Sequence, residues 1–162
     1  MKILVTGAAG FIGSKLAYRL IRDGHEVLVI DNLSTGKKEN VPAGARFIES
    51  CASSPSILDA ISEFRADVIA HCGGQSSGEI SEKRPRDDIQ WNVVSTLNLL
   101  TIAERLGIKK FVYAGSMGVY GECKSEVLRE EDSGQPISIY GAGKLAAEGY
   151  LNTFSKRGMT NI

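Results

Sequence analysis

Nowhere in the sequence does an apolar run approach the ~18 residues of a membrane span, so a spanning segment is not expected. The opening MKILVTGAAG has a lysine and then Ile3-Leu4-Val5, but Thr6-Gly7 ends that run too early for a signal peptide. Charge of either sign is not in excess: 19 Lys+Arg stand against 19 Asp+Glu, for a formal net charge of 0. That balance argues against a nucleic-acid binder with a polybasic face. It leaves small anionic ligands open, because backbone N–H groups can hold a phosphate without net charge. Cysteine is scarce and odd in number: Cys51, Cys72 and Cys123, widely spaced. They form no metal or redox pair and are expected to be reduced, buried thiols of a cytoplasmic protein. Repeats and low-complexity segments are absent.

What is present is an ordinary globular composition, 43% hydrophobic and 23% charged over 162 residues, enough for one domain with its own core. Short apolar runs at Ile3–Val5, Val27–Ile30, Arg46–Ile48, Val68–Ala70 and Phe111–Ala114 predict strands buried on both faces. Helix patterns lie between them. Gly13–Arg22 carries Leu16, Ala17, Leu20 and Ile21 on one face and ends at Asp23-Gly24. Ser54-Pro55 predicts an N-cap and first helical position leading to Ile57, Leu58, Ile61 and Phe64. A long helix is expected from after Pro85 to Gly107, and a last one from about Ile139 to Arg157, stopped by Gly158. The alternation predicts an α/β fold, a Rossmann-type doubly wound parallel sheet of about five strands with helices on both faces.

The first strand runs into TGAAGFIG, where Gly7, Gly10 and Gly13 are spaced by three and a helix follows. Glycine there permits close backbone approach, and the helix start offers free N–H groups and a positive dipole end to a pyrophosphate. Asp31 closes the second strand eighteen residues past Gly13. A carboxylate there can accept both ribose hydroxyls and would repel a 2′-phosphate, which favours NAD over NADP. The plainer alternative is that Asp31 merely opens the turn DNLSTG; the glycines upstream favour the ribose role.

Near the far end, SIYGAGKLAAEGYL sets Tyr140 four residues before Lys144, on one helical face. A free tyrosine, with a pKa near ~10, is a poor base at neutral pH, and a neighbouring ammonium can stabilise its phenolate. The plainer alternative is a lysine stem packed on a ring. Ser116 alone would be a turn serine after a strand, and Asn92 a polar residue in mid-helix. Trp91 and Tyr120 are expected to pack, and His71 to be a core histidine at a strand end rather than a catalyst.

Together these segments resemble the extended short-chain dehydrogenase/reductases, specifically the NAD-dependent nucleotide-sugar epimerases and dehydratases of UDP-galactose 4-epimerase type. TGAAGFIG, DNLSTG, HCGGQ (71–75), WNVVSTLNLL with Asn92, AGSMGVYG (114–121) and YGAGK carry the resemblance across the whole chain. It implies NAD held by Gly7, Gly10, Phe11, Ile12, Gly13, Asp31, Asn32, Ser34, Gly36, Gly73, Gly74, Asn92, Tyr140 and Lys144, with Ser116, Tyr140 and Lys144 catalytic and no metal. Tyr140 would take a proton from a sugar hydroxyl while hydride leaves the same carbon, with Ser116 holding the reacting oxygen in line. The implied substrate is a nucleotide sugar, a UDP-hexose foremost. The implied assembly is a homodimer through the helices holding Trp91 and Tyr140. Dehydratase relatives place an acidic pair after the serine position, where this chain has Met117 and Gly118; epimerisation or oxidoreduction therefore fits better than dehydration.

The chain departs from the family in several places. A Gly-Asp that contacts adenine usually ends the third strand; Ser50-Cys51 stands there. Gly143 replaces the usual serine before the lysine, and Ile139 the usual proline before the tyrosine. The family is roughly twice as long, with a sixth strand and a C-terminal substrate lobe. Residues 1–162 are thus expected to be a dinucleotide-binding domain lacking that lobe, cut before or within the sixth strand, with the edge of Phe111–Ala114 left open. Two further readings stand beside the epimerase. One is a truncated or non-catalytic NAD-binding module. The other is a chain whose site is completed by a partner.

Overall fold

The computed structural model describes residues 1–122, 127–130, 132 and 134–161, with the side chains of 160 and 161 not included. Cys123 lies outside the described residues. Six parallel strands form one sheet in the order β3-β2-β1-β4-β5-β6. They are β1 (Lys2–Thr6), β2 (Glu26–Asp31), β3 (Arg46–Glu49), β4 (Val68–His71), β5 (Lys110–Tyr113) and the two-residue β6 (Thr160–Asn161). The helices are α1 (Phe11–Arg22), α2 (Ile57–Phe64), α3 (Gly78–Lys83), α4 (Pro85–Asp88), α5 (Ser95–Leu106) and α6 (Ile139–Ser155).

The strands read as unbroken apolar runs because both faces are covered. Leu4, Leu28, Ile30, Ile69 and Phe111 pack on one side with residues of α2, α5 and α6, including Ile61, Leu100 and Phe154. Ile3, Val5, Val27, Val29, Val68 and Ala70 pack on the other with Ala17, Leu16 and Leu20 of α1. Successive side chains of β1 therefore enter opposite cores, as a pleat of period two requires. The strand order turns at β1, with β2 on one side and β4 on the other, and this reversal opens a crevice at the carboxyl ends of the strands.

Four expectations need correcting. The helix expected at Pro55 becomes regular only at Ile57, although the Ser54 hydroxyl oxygen accepts from Ser56 N–H at 3.4 Å, as an N-cap would, and also pairs with Ser56 Oγ at 2.8 Å. The short α3 was not expected; its N-cap Ser77 accepts from Ile80 N–H. The long helix after Pro85 is not uniform: α4 passes through a π-helical stretch, Ile89–Val94, before α5. The edge of β5 is not wholly open, since β6 pairs Thr160 with Lys110 and Asn161 with Phe111. Gly107 (φ +71°) and Gly158 (φ +95°) follow α5 and α6 in the left-handed conformation, as expected of helix stops.

Candidate functional site

The turn after β1 is held by its own backbone. Gly7, at φ +70°, donates its N–H to Ile30 O at 2.9 Å, and Gly10 N–H donates to Gly7 O at 3.1 Å. A Cβ at Gly7 would lie 2.6 Å from Gly73 Cα, so a side chain would force β1 and the β4 turn apart. At Gly13 a Cβ would overlap the Gly7 carbonyl, so the bare helix face lets α1 sit directly on the turn. Gly10, the N-cap of α1, provides no side-chain cap. The first turn of this twelve-residue helix thus presents N–H groups and a positive dipole end to the crevice.

Asp31 opens the DNLSTG turn and ties it to the glycine turn. Its Oδ2 accepts from Ala9 N–H at 2.9 Å and its Oδ1 from Leu33 N–H at 2.8 Å. The second bond opens the DNLSTG turn, where Leu33 takes φ +55°. A carboxylate has about four lone-pair sites, so acceptor capacity remains on both oxygens. The loop then folds back over the glycine turn. Lys37 N–H donates to Ala9 O at 3.1 Å and Asn40 Nδ2 donates to the same oxygen at 2.9 Å.

A cavity of about 260 Å³ lies at this point, lined by Gly7, Gly10, Phe11, Ile12, Gly13, Asp31, Asn32, Ser34, Gly36, Gly73 and Gly74. These are all of the expected cofactor residues except Asn92, Tyr140 and Lys144. Among the described residues lining the cavity, Asp31 is the one charged side chain. Among the described residues no lysine or arginine lines it to take a 2′-phosphate, and the donor set fits a dinucleotide pyrophosphate and ribose. Ser50 and Cys51, noted at the family's adenine-contacting position, line it too, and sequence reasoning missed Thr6, Ile30, Thr35, Ala52, Cys72, Ser76, Trp91 and Ser95. Cys51 and Cys72 are half-buried free thiols rather than buried ones because they face this space. Trp91 faces it from the π-helical stretch. The irregular turn leaves carbonyls that side chains take up: Thr96 Oγ donates to Asn92 O at 2.7 Å, and Ser95 Oγ to Trp91 O.

Asn92 stands behind the wall of the cavity. It is 1% exposed, and its Nδ2 donates to Gln75 O at 3.1 Å and Asp88 Oδ1 at 2.9 Å. Its Oδ1 lies where a Cβ at Gly74 would be. Asp88, fully buried, accepts from Ser81 Oγ at 2.6 Å on the same Oδ1.

Ser116, Tyr140 and Lys144 form a second group outside the cavity lining. Ser116 Oγ accepts from Gly118 N–H at 3.1 Å and caps the turn Met117–Val119. A Cβ at Gly118 would sit 3.4 Å from Ser116 Oγ and 3.6 Å from Tyr140 Cδ1, so the turn and the ring are neighbours. Ser138 caps α6 by accepting from Gly141 N–H at 3.0 Å, which fixes Tyr140 in the first helical turn. Lys144 is 5% exposed; its Nζ donates to Ala114 O at 3.0 Å and lies 4.8 Å from the Tyr113 ring centre and 5.9 Å from that of Tyr140. Burial lowers the Lys144 pKa below the ordinary lysine value, and Asp88, Cys72 and Glu148 partly offset this. Burial likewise raises the Tyr113 phenol.

His71 is a core residue. Its Nδ1 lies 2.6 Å from Thr6 Oγ and its Nε2 3.1 Å from Thr96 Oγ, and its ring meets Phe111 edge-on. Burial, with a smaller contribution from the Lys144 charge, pushes its pKa down to about 3.

The family model described as "NAD dependent epimerase/dehydratase family" matches residues 3–162. UDP-glucose 4-epimerase of Mycolicibacterium smegmatis is 39% identical over 160 residues, covering 95% of this chain and 51% of that protein. A crystal structure of Thermus thermophilus UDP-glucose 4-epimerase in complex with NAD superposes with a TM-score of 0.95 at 38% identity. That match covers 99% of this chain and 53% of the other. UDP-glucose 4-epimerase of Thermotoga maritima, solved with UDP-glucose, gives a TM-score of 0.96 at 36% identity, again with 99% and 53% covered. The chain spans about half the length of the curated relatives it matches.

Proposed function

Because this chain belongs to the NAD-dependent epimerase/dehydratase family, we propose that it is the NAD-binding half of a UDP-hexose 4-epimerase. The observation that carries the proposal is the cavity itself: an uncapped helix start above a glycine turn, with Asp31 the one charged lining residue among those described. Phe11, Ile12 and Gly13 would present backbone N–H groups to the pyrophosphate, and Asp31 would accept the ribose hydroxyls on its remaining lone pairs. NAD, when bound, supplies reversible redox chemistry at a sugar carbon. Tyr140 is proposed to move the proton of the sugar hydroxyl, and Ser116, on the adjoining turn, to orient that oxygen. The buried Lys144 places a positive charge close to the Tyr140 ring, which offsets negative charge developing on the phenol oxygen. We extend the proposal to a homodimer built on the elements holding Trp91 and Tyr140, where Ile89, Val94 and Tyr150 remain exposed, and to a cytoplasmic setting that keeps Cys51 and Cys72 reduced.

One observation favours a second reading, a non-catalytic NAD-binding module: Ser116, Tyr140 and Lys144 do not line the cavity. Titration calorimetry against NAD and NADP tests the shared premise. NAD should bind at least ~10-fold more tightly, because Asp31 would lie against a 2′-phosphate with no cation beside it. Trp91 is the only tryptophan and lines the cavity, so its fluorescence should change on binding. Equal affinity for the two dinucleotides would refute the role given to Asp31. Incubation with NAD and UDP-galactose then separates the readings: conversion to UDP-glucose, abolished in Tyr140→Phe, supports the epimerase. NAD binding without conversion supports the module.

A further inference from the structure

The cavity does not end at Asp31. β3 lies directly outside β2, with Asp31 in register with Glu49 and Ser50 N–H donating to Asp31 O at 3.0 Å. The lining continues past the carboxylate to Ser50, Cys51 and Ala52. With the pyrophosphate at the glycine turn and the ribose at Asp31, the purine falls at this end. Two of its carbonyls are already engaged: Cys51 O accepts from Ser54 N–H at 2.9 Å, and Ala52 O from Asn98 Nδ2 at 2.8 Å. Cys51 Sγ and Ser53 Oγ lie 3.0 Å apart with either able to donate, and Ser53 Oγ accepts from Gln90 Nε2 at 2.8 Å. Among the described residues the one carboxylate lining the cavity is Asp31, on the ribose side.

We propose that the purine end of this cavity does not select adenine. It accepts a hypoxanthine dinucleotide about as well, and Cys51 sets that tolerance. Adenine presents a donor amine at C6 and an acceptor at N1; hypoxanthine presents an acceptor oxygen at C6 and an N1–H donor. A carboxylate can only accept, so it would bind the amine and repel the oxygen. A thiol beside a hydroxyl can rotate its hydrogens to donate or accept, weakly in either sense. Strong discrimination comes from a site whose polar group is left unpaired by the wrong ligand, and Cys51 is too weak and too adaptable for that.

Base tolerance presupposes the dinucleotide cavity proposed above, and the test keeps the two apart. NAD and nicotinamide hypoxanthine dinucleotide are titrated into the full chain by calorimetry, with Trp91 fluorescence as a second readout. Dissociation constants within about threefold of each other are expected. Cys51→Asp should open a preference for NAD of at least ~10-fold, whereas Cys51→Ser, still able to donate and accept, should leave the ratio where it was. A wild-type preference for NAD of ~10-fold or more would overturn base tolerance while leaving the cavity assignment intact. An unchanged ratio in Cys51→Asp, with NAD still bound, would overturn the role of Cys51. Failure of both dinucleotides to bind would overturn the cavity assignment and base tolerance together.

Discussion

Lowering the pH from 6.5 to 4.5 should remove roughly 2 kcal/mol of folding stability through His71 alone. In the fold His71 stays neutral down to about pH 3, whereas in the unfolded chain it protonates near ~6.5. Between those values the unfolded chain binds a proton that the folded chain refuses. The contribution is therefore complete above pH 6.5 and is lost as pH falls toward 3, at up to about 1.4 kcal/mol per pH unit. The cause is geometric: both ring nitrogens face threonine hydroxyls, the ring abuts Phe111, and 1% of the residue is exposed. Single domains have only about 5–15 kcal/mol in total, so this one side chain controls a sizeable fraction of it. Urea titrations at pH 7.5, 6.5, 5.5 and 4.5 measure the effect. His71→Gln should flatten the dependence across this window even though it lowers stability at pH 7.5. A wild-type free energy constant down to pH 4.5 would mean that His71 accepts its proton inside the fold.

A second contrast lies within α6, where one substitution should have opposite signs at two positions. Gly149→Ala should stabilise by about 0.5–1 kcal/mol, because alanine is the better helix former and nothing lies within 4 Å of the new Cβ. Gly141→Ala should instead destabilise by about 1–3 kcal/mol. There the Cβ would overlap the carbonyl oxygen of Gly118 and lie 2.9 Å from Pro136 Cβ. That carbonyl belongs to the turn capped by Ser116, so relief of the clash would move Ser116 away from Tyr140. Gly143→Ala should follow Gly141→Ala, since its Cβ would overlap the buried Oδ2 of Asp88. Chemical denaturation of the three variants decides the matter; a stabilised Gly141→Ala would show that the Ser116 turn is not seated on α6.

How much of this could be read in advance differs from element to element. The glycine turn, Asp31 and the alternation of strands and helices were legible because local chemistry demands them: a left-handed Gly7, a close approach at Gly13, and apolar runs covered on both faces. The interior glycines of α6 were not explicable, because what they accommodate comes from far along the chain, the Gly118 carbonyl and the Asp88 carboxylate. Trp91 was expected to pack and instead lines the cavity. A π-helical stretch rotates successive side chains away from the helical periodicity on which that expectation rested. Cys51 stood out as a departure from the family pattern, but the hydroxyl and amide behind it, Ser53 and Gln90, became visible only once β3 and the π-helical stretch were brought together.

The buried amide of Asn92 joins two regions that the sequence keeps far apart. Gly74, in the cavity wall, rests on its Oδ1, its Nδ2 grips Asp88, and the free oxygen of Asp88 fills the notch at Gly143, one residue before Lys144. The contacts run from the wall to α6 through side chains with almost no exposure to solvent. A displacement of Gly74 by a ligand therefore cannot be absorbed locally by water or by a mobile surface chain. It must be resisted by the carboxylate and the helix behind it, which makes the wall and the lysine-bearing helix a single mechanical unit.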